Sequence, residues 1–223
     1  MHISYKFVIG GGDTFEYDTF KELTHLYNYH DIVYIECSFN ELTSLPILPN
    51  SLTMLYCSRN ELTILPTLPN SLIELECSYN KLTVLPTLPN SLQSLNCHIN
   101  ELTSLPSLPN SLQILGCAHN LLTVLPTLPN SLTLLQCSYN KLAILSIIKD
   151  SLEYNYYDNN PVHKYIKDTY GGNLDIYCKV NEKFANKLVR WYLDCRENPI
   201  YKFCRARLNR EYDALMEGYT GGL

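Results

Sequence analysis

A cysteine returns every 20 residues through the middle of the chain, at Cys37, Cys57, Cys77, Cys97, Cys117 and Cys137. A period of this length confines the chain to a stack of similar units, because one such unit is too short to bury an apolar side without neighbours. Aligned on the period, the unit reads Asn-Ser-Leu-x-x-Leu-x-Cys-x-x-Asn-x-Leu-Thr-x-Leu-Pro-x-Leu-Pro. It is clearest over residues 50–69 and 70–89, and copies continue to residue 129. The unit from Asn130 keeps its first half, then has Ser146 and Lys149 where the prolines stand elsewhere. A degenerate copy opens the series at Ile32, Ile35, Cys37, Asn40 and Leu42. Another closes it at Leu152, Asn155, Tyr157, Asn160 and Val162. About seven turns are therefore expected over residues 32–162.

The Leu-x-x-Leu-x-Cys-x-x-Asn-x-Leu core of the unit resembles the leucine-rich repeat, with Cys in place of its third Leu. The short period and the Leu-Pro-x-Leu-Pro half resemble the repeats of type-III-secreted bacterial effector proteins. The Tyr-rich front and the Trp191-Tyr192-Leu193-Asp194-Cys195-Arg196 segment look more like leucine-rich-repeat proteins of giant DNA viruses of amoebae. The resemblance implies an α/β repeat protein, a solenoid with a short-strand parallel sheet on its concave face. It also implies that Asn60 and its equivalents turn inward, their amides bonding backbone groups of the bend.

Within a unit, Leu52, Leu55 and Cys57 alternate around a short strand and point inward, while Met54 and Tyr56 point out. Leu62, Leu65 and Leu68 close the core from the other side. Two prolines per turn, such as Pro66 and Pro69, exclude regular helix there, so the convex side is expected to lack α-helices. The Cys column fits neither zinc, which needs converging ligands at C-x₂₋₄-C spacing, nor a disulfide ladder, whose side chains would have to face each other. Buried, reduced thiols acting as small hydrophobes are expected instead, which points to a cytoplasmic protein, in the host cytoplasm if viral. The start of the chain has no signal-peptide pattern, and no apolar run reaches the ~18–20 residues of a membrane span.

The outward positions vary from turn to turn. One column runs Tyr34, Met54, Glu74, Ser94, Ile114, Leu134, Tyr154, and the next Glu36, Tyr56, Glu76, Asn96, Gly116, Gln136, Tyr156. A third, just past the strand, runs Phe39, Arg59, Tyr79, Ile99, His119, Tyr139, Asn159. Tyr and Arg are the residue types enriched at interface hot spots. The candidate surface for a protein or peptide partner is therefore Tyr34, Glu36, Met54, Tyr56, Arg59, Glu74, Glu76, Tyr79, Asn96, Gln136 and Tyr139. His98 and His119 lie on adjacent turns but lack a third ligand, so no metal site is expected.

Residues 1–31 read as an N-terminal cap. Ile3, Tyr5, Phe7 and Ile9 alternate, Gly10-Gly11-Gly12 makes a hairpin turn, and a second strand follows near Thr14 and Tyr17. Residues 20–29 read as a short helix with Phe20, Leu23, Leu26 and Tyr27 on one side. Such a cap protects the open edge of the first repeat.

Residues 163–223 change character: they carry 11 basic and 8 acidic side chains, against 6 and 14 over residues 1–162. Phe184, Leu188, Trp191, Tyr192 and Cys195 share a helical face with Asn181 as N-cap. A second helix follows from Asn198 and Pro199, with Ile200, Phe203, Cys204, Leu208, Tyr212 and Leu215 in its apolar stripe. These helices read as a C-terminal cap. Alternatively they form a docking module in which Arg190, Arg196, Lys202, Arg205, Arg207 and Arg210 meet an acidic partner. The chain's net charge of −5 argues against nucleic acid and anionic membranes.

No catalytic motif is present. Some effectors with similar repeats are ubiquitin ligases, but their catalytic domains are far larger than residues 163–223 and carry a Cys-x-Asp motif. Cys178, Cys195 and Cys204 all lack it. Gly-x-Ser-x-Gly, His-Glu-x-x-His and Cys-x-x-Cys are also missing. A non-enzymatic, cofactor-free binding protein is expected. The alternatives are an adaptor recruiting host ubiquitin or signalling machinery through its tail, and a structural component of a virion.

Overall fold

A computed structural model describes residues 5–9, 14–17, 24–25, 29–145, 152 and 154–171. The helices expected after Asn181 lie outside this set, as does most of the one expected over residues 20–29. Two strands, β1 (Tyr5–Ile9) and β2 (Thr14–Tyr17), precede seven more: β3 (Ile32–Glu36), β4 (Met54–Tyr56), β5 (Glu74–Glu76), β6 (Ser94–Asn96), β7 (Ile114–Gly116), β8 (Leu134–Gln136) and β9 (Tyr154–Tyr156). The order across the sheet is β2-β1-β3-β4-β5-β6-β7-β8-β9. From β3 onward neighbours are parallel and in register, Tyr34 beside Met54, Met54 beside Glu74, and so on to Tyr154. The chain folds as a leucine-rich-repeat solenoid, and from β3 to residue 145 the described convex segments hold no α-helix.

The expected hairpin forms at the first edge. β1 pairs antiparallel with β2 and with β3, Phe7 opposite both Phe15 and Ile35. It thereby occupies the edge of β3 that would otherwise be left open for pairing with another chain. Tyr29, read from sequence as the end of a helix, belongs to a 3-10 turn, Tyr29–Asp31.

The inner columns are dry. Leu52, Leu55, Cys57 and Leu62 and their equivalents two turns on, Leu92, Leu95, Cys97 and Leu102, have no exposed surface, and Leu65 and Leu68 are buried on the far side. Each turn returns to its strand through a tight bend in which Leu72 N–H donates to Pro69 C=O at 3.1 Å. Ser71 Oγ–H, inside that bend, reaches the Asn50 and Leu52 carbonyls of the preceding turn at 2.7 and 2.6 Å.

The asparagine ladder satisfies the backbone where the strands end. Asn80 Nδ2 donates to Cys57 C=O and Cys77 C=O at 3.0 and 3.1 Å, and its Oδ1 accepts Leu62 N–H at 3.0 Å. Asn60, Asn100, Asn120, Asn140 and Asn160 repeat this arrangement. Just before each of these asparagines the backbone turns left-handed: Phe39, Arg59, Tyr79, Ile99, His119, Tyr139 and Asn159 have φ between 52° and 62°. The bend is a property of the repeat, imposed on whichever residue occupies the position.

The last described segment was not expected. A helix, α1 (Pro161–Tyr170), begins inside the closing copy. In earlier turns the N–H after the ladder asparagine donates to the turn before, as from Lys141 to Leu122 C=O at 2.9 Å. At that position Pro161 has no N–H, so Val162 donates to Leu142 C=O at 3.0 Å instead. Pro161 then opens the helix at its first turn, Val162 and Ile166 bury fully, and Gly171 ends it at φ 61°.

Candidate binding site on the concave face

The strand register sets the outward columns side by side, so residues 20 apart in sequence become neighbours. Over β3 to β5 they interlock. The rings of Tyr34 and Tyr56 meet edge to face at 5.3 Å. Tyr56 OH donates to Glu74 Oε1 at 2.9 Å, and Tyr34 OH to Glu36 Oε2 at 3.3 Å. Glu36 Oε1 also accepts Ser38 N–H at 2.9 Å. Burial, with these carboxylates beside the hydroxyls, pushes both tyrosines up to about 12, so they remain donors. Met54 stands between Tyr34 and Glu74 in the same column.

Glu76 is held from three sides. Its Oε1 accepts the hydroxyls of Ser58, at 3.3 Å, and of the buried Ser78, and its Oε2 accepts Asn96 Nδ2 at 3.0 Å. That bond fixes the Asn96 amide so that Oδ1 faces His98 Nδ1 at 2.6 Å. An amide oxygen only accepts, so the His98 proton sits on Nδ1. Burial lowers the His98 pKa, Glu76 opposes that shift, and His119 and Arg59 add to it. Gly116 completes the group: a Cβ there would stand 2.7 Å from Asn96 Oδ1. The Asn96 side chain therefore lies flat across the next strand.

The third column stacks. The Arg59 guanidinium sits 4.1 Å from the Tyr79 ring centre and 5.2 Å from that of Phe39. Tyr79 meets His98 edge on at 5.0 Å, and His119 lies flat on Tyr139 at 4.1 Å. Eight of the sequence candidates thus form one network from Tyr34 to Asn96, its two parts joined where Ser58 N–H donates to Ser38 Oγ at 3.1 Å, and Met54 lies beside it in the sheet. Gln136 and Tyr139 stand apart on later turns. Phe39, Ser78, His98, His119 and Gly116 were not among the candidates, and they belong to the network or to the second stack. The stacked spacing of the third column, visible in the 20-residue alignment, was the signal for Phe39 and His119. Among the described residues, no three His, Cys, Asp or Glu side chains are grouped to hold a metal ion.

No family model matches the chain, and neither does any curated protein. Solved structures do match. The fold is similar to that of YopM from Yersinia enterocolitica, with a TM-score of 0.56 and 37% identity over 56% of this chain and 28% of YopM. It is similar to the leucine-rich-repeat domain of a Shigella effector, with a TM-score of 0.56 and 38% identity over 57% of this chain and 59% of that domain. The chain thus spans 28% of the first and 59% of the second, less than two thirds of either. Both likenesses agree with the effector resemblance read from the repeats. The resemblance of the flanks to giant-virus proteins rests on sequence alone.

Proposed function

We propose that the chain is a non-enzymatic module that binds another protein or peptide through its concave face. The observation that carries this is the network from Tyr34 to Asn96. Its polar atoms are tied to one another, so its aromatic and carboxylate groups are fixed in place while remaining accessible along the face. Side chains ordered before binding lose less entropy on contact, which favours a surface of this kind for docking. The likeness to effector proteins supports a protein partner. The column of unpaired cysteines supports a reducing compartment, hence the cytoplasm. The contrast between an acidic solenoid and a basic residue 163–223 segment favours a second role for the tail as an adaptor.

The test is affinity capture with the intact chain and with a Tyr56→Ala, Arg59→Ala, Tyr79→Ala, Tyr139→Ala variant of unchanged circular dichroism. The variant is expected to lose partners that the intact chain retains. Identical partner sets would rule out the concave face. A chain ending at Gly171 that loses one partner and keeps the others would assign the tail an adaptor role.

A further inference from the structure

The concave face changes chemistry along its length. Its carboxylates, Glu36, Glu74 and Glu76, lie on β3 and β5, and its exposed or half-exposed aliphatic side chains Ile114 and Leu134 lie on β7 and β8. Glu36 stands opposite Lys6 in the β1–β3 register, whereas among the described residues no lysine or arginine pairs with Glu74 or Glu76. Among the described residues Glu61 pairs with Lys81 and Asp158 with His163, away from the outward strand positions. Arg59, the only lysine or arginine in the three outward columns, is held between two rings. The β5 carboxylates, Glu74 and Glu76, therefore stand on the face without an ion-pair partner among the described residues. Between the halves the ground is low: Ser94 is short, Asn96 lies flat and Gly116 has no side chain.

From this pattern we infer the partner's chemistry: a peptide segment with lysine or arginine at one end and an aliphatic side chain a few residues away, laid across the strands along the solenoid axis. Strands ~4.8 Å apart put Ile114 about 10 Å and Leu134 about 14 Å from the β5 carboxylates, and extended chain covers that in three to five residues at ~3.3 Å each. The basic end meets Glu74 and Glu76, whose outward charge attracts it and fixes its direction. The aliphatic end covers Ile114, which is 41% exposed and has no other cover. The backbone between passes over Asn96 and Gly116. This assignment rests on the concave face being the docking surface, and it adds polarity and composition to it.

The experiment selects binders from a random peptide library displayed on phage, using the full chain as bait. Synthetic copies of the selected peptides are then measured by fluorescence anisotropy. Selected sequences are expected to pair Lys or Arg with Leu, Ile or Val at the stated separation. Binding is expected to fall about tenfold or more in the Glu74→Gln, Glu76→Gln variant and to weaken with added salt. Gln keeps a carbonyl acceptor for the tyrosine and serine donors, and circular dichroism checks the fold. Ile114→Ser with Leu134→Ser should weaken the same peptides, and peptides whose aliphatic residue is replaced by Ser should not respond to that variant. Neutral or acidic peptides that lose binding in Tyr56→Ala and Tyr139→Ala would overturn the partner chemistry and leave the docking face standing. Peptides that bind every variant equally would overturn both. Failure to select any peptide with the full chain would overturn the partner chemistry as well.

Discussion

The Asn100 side chain donates from Nδ2 to Cys77 C=O, one turn earlier in the stack, at 3.1 Å. The same nitrogen reaches Cys97 C=O at 3.1 Å, and Oδ1 takes Leu82 N–H at 3.0 Å. One buried amide thus satisfies three backbone groups on two turns. Asn100→Ala leaves Leu82 N–H without a partner and takes one of two donors from each carbonyl, since Asn80 still reaches Cys77 C=O and Asn120 still reaches Cys97 C=O, and it is expected to cost about 1–3 kcal/mol, read from urea unfolding. Asn100→Asp also loses the two donors and places a charge opposite carbonyls, so it should be at least as costly. A loss under 1 kcal/mol for either variant would mean that water replaces the ladder.

Ile99 sits at φ 52°, a left-handed conformation in which a β-branched side chain is unfavourable. The closing copy has Asn159 at the same place, at φ 55°. Asn tolerates that region better, so Ile99→Asn should stabilise the protein by about 0.5–1 kcal/mol. The measurement is the shift of the urea midpoint at unchanged slope. A destabilised variant would show that Ile99 gains more from its contacts on the face than its backbone loses.

Convex cover follows one residue. Where Ile64, Val84, Val124 or Ile144 precedes it, the next leucine is buried, while Leu45 after Ser44 and Leu105 after Ser104 are partly exposed. Ser104→Val should cover Leu105 and raise stability by about 0.5–1 kcal/mol, again from denaturant unfolding. Ser44→Val should act the same way. No gain at either site would mean that the leucine is uncovered for another reason.

The solenoid was legible because the period couples a dozen positions at once: Leu52, Cys57, Asn60 and Leu62 each recur with their burial and bonding partners. The outward columns could also be read off the register, since a parallel in-register sheet sets residues 20 apart side by side. Three things escaped. Nothing in the column signals that Phe39 to Asn159 share a left-handed backbone, because only His119 and Asn159 among them are residue types enriched there. The coupling of Glu76, Asn96, His98 and Gly116 depends on side-chain directions that spacing does not specify. Helix α1 was missed because Asn160 and Val162 fit the repeat, and that fit hid the helix-opening signal of Pro161 between them and of Gly171 beyond.

The Cys column ties stability to alkaline pH. Burial raises the thiol pKa of Cys37, Cys77 and Cys117 well above the usual value, and raises Cys97 and Cys137 to about 12. A thiol in the unfolded chain ionises near pH 9, so above that pH the unfolded state holds fewer protons than the folded one. The stability is fully present below about pH 9 and is lost as pH rises from there towards the folded values. Each thiol well above its unfolded pKa contributes a slope of about 1.4 kcal/mol per pH unit. Tyr29, Tyr34 and Tyr56, raised to about 12 mainly by burial, add to the loss from about pH 10 upward. Urea midpoints measured from pH 7 to 10.5 should be flat to pH 8.5 and then fall steeply. Cys77→Ala should lower the midpoint at pH 7 and show a shallower alkaline fall, because one proton has left the linkage. Equal alkaline slopes for both proteins would mean that the Cys77 thiol ionises in the folded state as readily as in water.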